Sequence, residues 1–275
     1  MSRRDGFPPG APCWVQAVHP EPEAAVAFYT ELFGWEAENL MPPDHPGDYF
    51  LCRLRGRAVA AIVSQHGAPA PSSAVWTTHV CAESAARATA RVEDAGGAVI
   101  GAPFDSPGGG GMAVVSDPAG AVFCVREPRE RSGAQLVNEP GAWAMSALMT
   151  PDPEGAKRFY GDVFGWITDA FDVGGAQVTL WRLPGYVGGE PEQPVPPDVV
   201  ATMLPGSAGG GDAPPSWTVD FWVEDLDAAL EKALERGAGV ISGPYEVPGA
   251  PLRQAAITDP QGATLSLTQP PARVP

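Results

Sequence analysis

The sequence predicts an α+β protein: four βαβββ units arranged as two half-barrel domains in tandem. Three observations lead to that class. A helix is written twice, as AAVAFYTELFGWEAE at 24–38 and GAKRFYGDVFGWITD at 155–169, with Phe-Tyr and Phe-Gly-Trp in the same register. A second unit is also written twice, as VWTTHVCAESAARATARVEDAGGAVI at 75–100 and SWTVDFWVEDLDAALEKALERGAGVI at 216–241. Each of these is followed by an Asp-Pro-x-Gly turn between alternating runs, VVSDPAGAVFCV at 114–125 and AITDPQGATLSL at 256–267. Such a turn is a strong hairpin signal.

Each element follows in order. Residues 13–18 read as a strand, and so do 142–149. The helices that follow are amphipathic: Ala25, Phe28, Tyr29 and Leu32 lie on one face, as do Ala156, Phe159, Tyr160 and Val163. Pro22 and Pro153 fit the first turn, where a missing N–H costs nothing, and Asp152 is a good N-cap. Gly34 and Gly165 stand where a left-handed C-cap is expected. Strand runs come next at 49–54 and 58–63, and at 177–183 and 199–204. In the second unit type, Asp225 caps a helix that Gly237 ends, and a further strand precedes the hairpin. One βαβββ unit leaves a sheet with a bare face, so two must pair to bury it around a cavity.

The expected organisation is a tail at 1–10, a domain at 11–128, a linker at 129–140, a second domain at 141–270 and a tail at 271–275. Gly and Pro cluster at 42–47, 67–73, 108–111, 128–141 and 184–215, which read as loops. The stretch near 184–215 is an insertion that the first copy lacks.

Composition narrows the function. The chain has 275 residues, 44% hydrophobic, enough for two cores. Its 17 basic and 33 acidic residues give a net charge of −16, without a Lys/Arg cluster. A phosphate backbone would be repelled, so nucleic acid is not an expected partner. No apolar stretch approaches a membrane span and no signal-peptide h-region follows the N-terminus, so a cytoplasmic protein is expected. Cys13, Cys52, Cys81 and Cys124 form no CxxC pair and read as reduced, buried thiols. The 108–111 Gly run lacks the context of a phosphate loop, and no GxSxG nucleophile motif is present.

The motifs FYTELFGW, FYGDVFGW and VEDLDAALEKALERGAG, with the two DPxGA turns, resemble a tandem vicinal-oxygen-chelate protein over roughly 11–128 and 141–269. That superfamily includes glyoxalase I, the bleomycin-resistance and fosfomycin-resistance proteins and the extradiol dioxygenases. WRLPGYVGGEP and SGPYEVPGAPLRQAAITDPQGATLSL further resemble its two-domain branch labelled as hydroxylases. The resemblance implies vicinal-oxygen-chelate half-barrels. In metal-using members it also implies one divalent ion per cup, held by His, Gln or Glu from four strand positions. Carried onto this chain, those positions are Trp14 and Met145, Thr77 and Thr218, Cys124 and Ser266, and a fourth near Ala60 and Ala201. None is His, Glu or Gln, so no cofactor is expected, with a divalent metal as the alternative; a slip of two residues offers only Gln16 or His79.

His79 and Asp220 occupy equivalent places, two residues past Thr77 and Thr218. Strand alternation puts them on the same faces as those threonines. They are candidate acid/base groups with Gln16, or polar anchors, or partners for nearby loop and backbone groups. His79, Cys81 and Cys124 offer a soft-ligand cluster for zinc, against which stands simple packing of small thiols. Trp76 and Trp217 lie on strands as expected core. Trp14, Trp222 and Trp181 are expected to point into the cups with Met145, Thr77, Thr218, Cys124 and Ser266. A cup lined by Trp, Met and Cys suits a flat aromatic or polyketide-like ligand.

The expected function is therefore metal-independent binding of a small organic molecule, for sequestration or for a tailoring step, by a monomer or weak homodimer. The alternatives are a metal-dependent or metal-free lyase, dioxygenase or hydroxylase of the same superfamily that works through His79, Asp220 or Gln16, and an interaction protein whose cups are filled.

Overall fold

The computed structural model describes residues 3–65, 74–107, 110–128, 133–173, 176–188, 196–206, 214–247 and 250–271. The expected loop at 67–73, the terminal tail beyond 271, and parts of the loops at 108–111, 128–141 and 184–215 lie outside them. Among the described residues no helix is long and apolar enough to cross a membrane.

The first half runs β1 (Pro12–His19), α1 (Pro22–Phe33), β2 (Glu36–Asn39), β3 (Tyr49–Leu54), β4 (Arg57–Ser64), β5 (Val75–Cys81), α2 (Ala85–Asp94), β6 (Ala98–Asp105), β7 (Gly111–Ser116) and β8 (Val122–Arg126). The second half repeats it as β9 (Trp143–Thr150), α3 (Pro153–Phe164), β10 (Ile167–Val173), β11 (Ala176–Arg182), β12 (Val199–Pro205), β13 (Ser216–Trp222), α4 (Leu226–Glu235), β14 (Gly239–Glu246), β15 (Arg253–Thr258) and β16 (Thr264–Gln269). The halves form two eight-stranded sheets of the same order, β2-β3-β4-β1-β5-β8-β7-β6 and β10-β11-β12-β9-β13-β16-β15-β14. This is the α+β architecture of four βαβββ units in two tandem vicinal-oxygen-chelate half-barrels. The sequence runs had not singled out β2 and β10. They are edge strands, and β2 is short with all four residues exposed, so it shows no alternation.

The helix termini follow local chemistry. Gly34 and Gly165 close α1 and α3 with φ of 71° and 75°, the left-handed conformation that glycine adopts without penalty. Asp152 and Asp225 accept hydrogen bonds from Gly155 N and Ala228 N, which caps α3 and α4.

The two cores do not follow the two halves. One cluster joins α1, β1 and β3–β5 with α4, β13, β15 and β16; the other joins α2 and β7–β8 with α3 and β11–β12. Each Phe-Tyr helix is thus locked onto the opposite half. Tyr29 Oη donates to Asp259 Oδ2 at 2.8 Å and accepts from Trp76 Nε1 at 2.9 Å. Tyr160 Oη donates to Asp117 Oδ2 at 3.2 Å and accepts from Trp217 Nε1 at 2.9 Å. The Asp of each Asp-Pro turn also accepts from its own turn, at Ala121 N and Ala263 N. Trp35 Nε1 donates to Gly141 O and Trp166 Nε1 to Gly10 O, both at 2.7 Å.

The described part of the 129–140 linker is packed: Ala134, Leu136 and Val137 belong to a core, and Gln135 N donates to Ala58 O. The N-terminal stretch is also built in, because Arg3 bridges to Leu136 and Phe7 packs on both cores. The apolar residues of these stretches complete surfaces that the pseudo-symmetric interlock would otherwise leave bare.

Candidate functional site

Each sheet curls around a cup, and the same strand positions line both. In the second half, Met145 and Ala147 of β9, Thr202 of β12, Thr218, Asp220 and Trp222 of β13, and Ser266 of β16 face a cavity of about 370 Å³. Tyr186 and Pro196 close one side, and they come from the excursion between β11 and β12. The first half has only Arg55 and Gly56 between the equivalent strands β3 and β4. The inserted stretch therefore contributes cavity wall.

Among the described residues Asp220 is the carboxylate of this cavity. Its Oδ1 accepts from Thr268 Oγ1 at 2.6 Å and from Gln254 Nε2 at 3.5 Å. Gln254 Nε2 also donates to Thr268 Oγ1 at 2.9 Å, and Gln254 Oε1 accepts from Tyr245 Oη at 2.8 Å. A polar line thus runs from Asp220 to Tyr245, which is 42% exposed. Burial pushes the Asp220 carboxyl up to about 7, against the pull of the Thr268 and Gln254 hydrogen bonds. Thr268, Gln254 and Tyr245 were not singled out from the sequence. Thr268 was within reach by alternation from Ser266; Gln254 and Tyr245 required knowing how β14, β15 and β16 pair.

The first cup places different side chains at the same positions. His79 pairs with Cys124 in the ladder as Asp220 pairs with Ser266. Arg126 lies opposite Cys81 as Thr268 lies opposite Trp222. Trp14, Gln16, Thr77, His79, Cys124 and Arg126 are all buried. The Arg126 guanidinium sits 5.7 Å from the centroid of the Trp14 ring, a cation–π contact inside the protein. His79 is held well below its ordinary value by burial and then by the positive charge of Arg126, so its imidazole is neutral. Trp14 Nε1, Gln16 Oε1 and His79 Nδ1 have no hydrogen-bond partner among the described residues. The threonines play one role in both cups: Thr77 Oγ1 donates to Gln16 O and Thr218 Oγ1 to Ala147 O.

Three placements differ from the sequence reading. Trp181, expected in the second cup, is fully buried in a core, edge-on to Tyr160 and tilted against Trp166. Ala201, expected at a cup position, lies opposite Trp181 and shares its core face, so Thr202 takes the cup place. Ala60 lies opposite Cys52 and is likewise core. The cause is one-residue register: a shift of one along a strand turns a side chain to the other face.

The donor sets do not suit the divalent ion that the family resemblance implies. Among the described residues the second cup offers Met145, Thr202, Thr218 and Ser266 with one carboxylate, and the first offers Trp14, Gln16, Thr77, His79 and Cys124. Hydroxyls, a thioether and an indole are poor ligands for such an ion, and a single imidazole, thiol or carboxylate beside them does not complete a site. Among the described residues no three His, Cys, Asp or Glu side chains gather closely enough to hold one, and this includes His79, Cys81 and Cys124. All four cysteines are buried free thiols.

Both halves match the model of a Glyoxalase-like domain, over residues 14–126 and 145–268. The chain is 33% identical over 273 residues to CFP32 of Mycobacterium bovis, provisionally named a glyoxylase, covering 98% of each chain. It is 33% identical over 279 residues to the anthracycline biosynthesis protein DnrV of Streptomyces peucetius, covering 96% of this chain and 94% of the relative. Among solved structures, 2,2',3-trihydroxybiphenyl 1,2-dioxygenase of Sphingomonas wittichii superposes with a TM-score of 0.60 at 13% identity, over 94% of this chain and 90% of the other. That last likeness is one of fold.

Proposed function

The chain belongs to the Glyoxalase-like domain family, and we propose that it binds a small aromatic or polyketide-like metabolite in its second cup, without a metal. The observation that carries this reading is the open second cavity. Its size of about 370 Å³ lies in the range of ligand sites, and its wall is mostly apolar with a few convergent polar groups. Trp143, Trp222, Tyr186 and Tyr245 offer ring faces for a planar skeleton. The anthracycline biosynthesis proteins at 33% identity support the polyketide-like class. With that donor set, the actions left to this chain's own residues are binding, orienting, excluding water and moving a proton at Asp220. Sequestration and a tailoring step both fit these actions.

A second reading, an enzyme of the superfamily, draws on Asp220. A carboxyl that titrates near neutrality, in a cavity, suits general acid–base work.

The test is a titration of the full chain with anthraquinone, followed by tryptophan fluorescence. Saturable quenching with one ligand per chain is expected, unchanged by EDTA and abolished when Ser266→Trp fills the cup. Quenching that is absent, or that requires added Mn, Fe or Zn, overturns the reading. Conversion of a bound compound that is lost in Asp220→Asn would select the enzyme.

A further inference from the structure

Among the described residues the second cup holds one carboxylate, and no Lys, Arg or His lines it. Two arginines lie near it. Arg4 stands at the rim and donates to Val187 O; Arg253, on β15 beside Gln254, pairs with Asp227 and Glu246. An ionised Asp220 therefore has no counter-charge within the cavity. Its Oδ1 takes the Thr268 and Gln254 hydrogen bonds, and Oδ2 receives none among the described residues. Trp222 is two residues along the same strand, and Tyr245 is joined to Asp220 through Gln254. A carboxylate among ring faces is the arrangement that holds an organic cation.

The first cup supplies an internal comparison. There the cation belongs to the protein: Arg126 lies over Trp14. In the second half Thr268 stands at the position of Arg126, and a carboxylate stands at the position of His79. We propose that the second cup takes a small organic ammonium ion on an aromatic or apolar skeleton, with Asp220 as its counter-ion and the neighbouring rings as its cage. This rests on the reading of the second cup as the ligand site. The net charge of −16 acts in the same direction, since it raises the local concentration of cations.

The pH dependence follows from the groups that face Asp220. Besides Asp220, the titratable groups of the lining among the described residues are Tyr186 and Tyr245; burial raises both, so they stay neutral near pH 7. As pH rises through about 7 the carboxylate ionises, and affinity for a cation rises with it.

The test uses three probes with one ring system: 1-naphthylmethylammonium, 1-naphthalenemethanol and 1-naphthoate. Binding to the full chain is measured by calorimetry at pH 8 and pH 5.5, for the native protein and Asp220→Asn. At pH 8 the ammonium is expected to bind about tenfold tighter than the alcohol or better, with naphthoate weakest. At pH 5.5 that preference falls to about twofold or less, and in Asp220→Asn it is lost at both pH values. If circular dichroism shows that the variant is not folded, the two pH values for the native protein decide. An alcohol that binds as tightly as the ammonium at pH 8 overturns the cation and leaves the cup as a site. Failure of all three probes on folded protein overturns the cation and the cup together.

Discussion

Two cups occupy equivalent places on equivalent sheets, and they are built to opposite ends. Trp14, Gln16, His79, Cys124 and Arg126 fill the first, while Met145, Ala147, Asp220, Ser266 and Thr268 wall the second at the same ladder positions. Outside the cups the halves are nearly the same machine. Both tyrosines reach the opposite Asp-Pro turn, and both Phe-Gly-Trp indoles reach the glycine before the opposite first strand. The comparison teaches that the duplicated helix is scaffold. What diverges is the inward face, through side-chain volume and through the sign of its charge.

The largest expected effect separates the two cups by stability. Trp14 is 3% exposed and packed in a core, so Trp14→Ala should cost about 3–5 kcal/mol in denaturant unfolding, as large aromatic deletions do. Trp222 lines the open cavity, so Trp222→Ala should cost less and should weaken probe binding instead. Equal costs for the two substitutions would mean that the second cup is as filled as the first.

Much of this division was legible in the residues. The four units, the paired helices and the Asp-Pro turns follow from two written repeats, because local capping and period decide them. Met145, Thr218, Asp220, Trp222 and Ser266 line one cavity, and alternation along each strand was enough to group them. Trp181 and Ala201 were not placed correctly, because a one-residue register is set by the ladder partner across the sheet and not by the strand's own pattern. Nor did Tyr29, Asp259, Tyr160 and Asp117 announce themselves as partners. Each repeat reads as complete in itself, and only the interlock of the halves shows that the helix of one copy was written to meet the turn of the other.

A middle-sized effect tests whether the scaffold is as symmetric as it looks. Tyr29→Phe and Tyr160→Phe each remove a buried hydroxyl that bridges an indole and a carboxylate, leaving both groups short of a partner. Each should cost about 2 kcal/mol. The surroundings differ in one respect: His19 Nε2 lies 3.4 Å from Asp259 Oδ2, and burial holds that imidazole below its ordinary value in spite of the carboxylate. Costs that differ severalfold between the two variants would make the His19 side a specialised half of the interlock.

The smallest effect is in the response to pH, where the cups should pull in opposite directions. His79 is buried and neutral, with a folded value well below the unfolded one. Below the ordinary imidazole value the unfolded chain binds a proton that the folded chain refuses, so this group weakens the fold as pH falls through about 6.5. Asp220 is the reverse, because its folded value of about 7 lies above that of a free carboxyl. Its contribution is fully present in acid, below the unfolded value, and is lost as pH rises towards 7, where the folded chain must give up its proton into a desolvated site. Asp220→Asn should therefore already stabilise the chain in part at pH 5.5, midway through that window, and more fully at pH 8. At pH 8 it should raise Tm by about 2–4 °C, roughly 1 kcal/mol for a chain of this size. His79→Gln should flatten the acid limb of the stability curve and leave the alkaline limb as it was. Thermal unfolding at the two pH values reads both. If Asp220→Asn stabilises the protein equally at pH 5.5 and pH 8, the carboxyl does not titrate between them. The second cup would then carry a fixed negative charge, and the contrast with the neutral imidazole of the first would be sharper still.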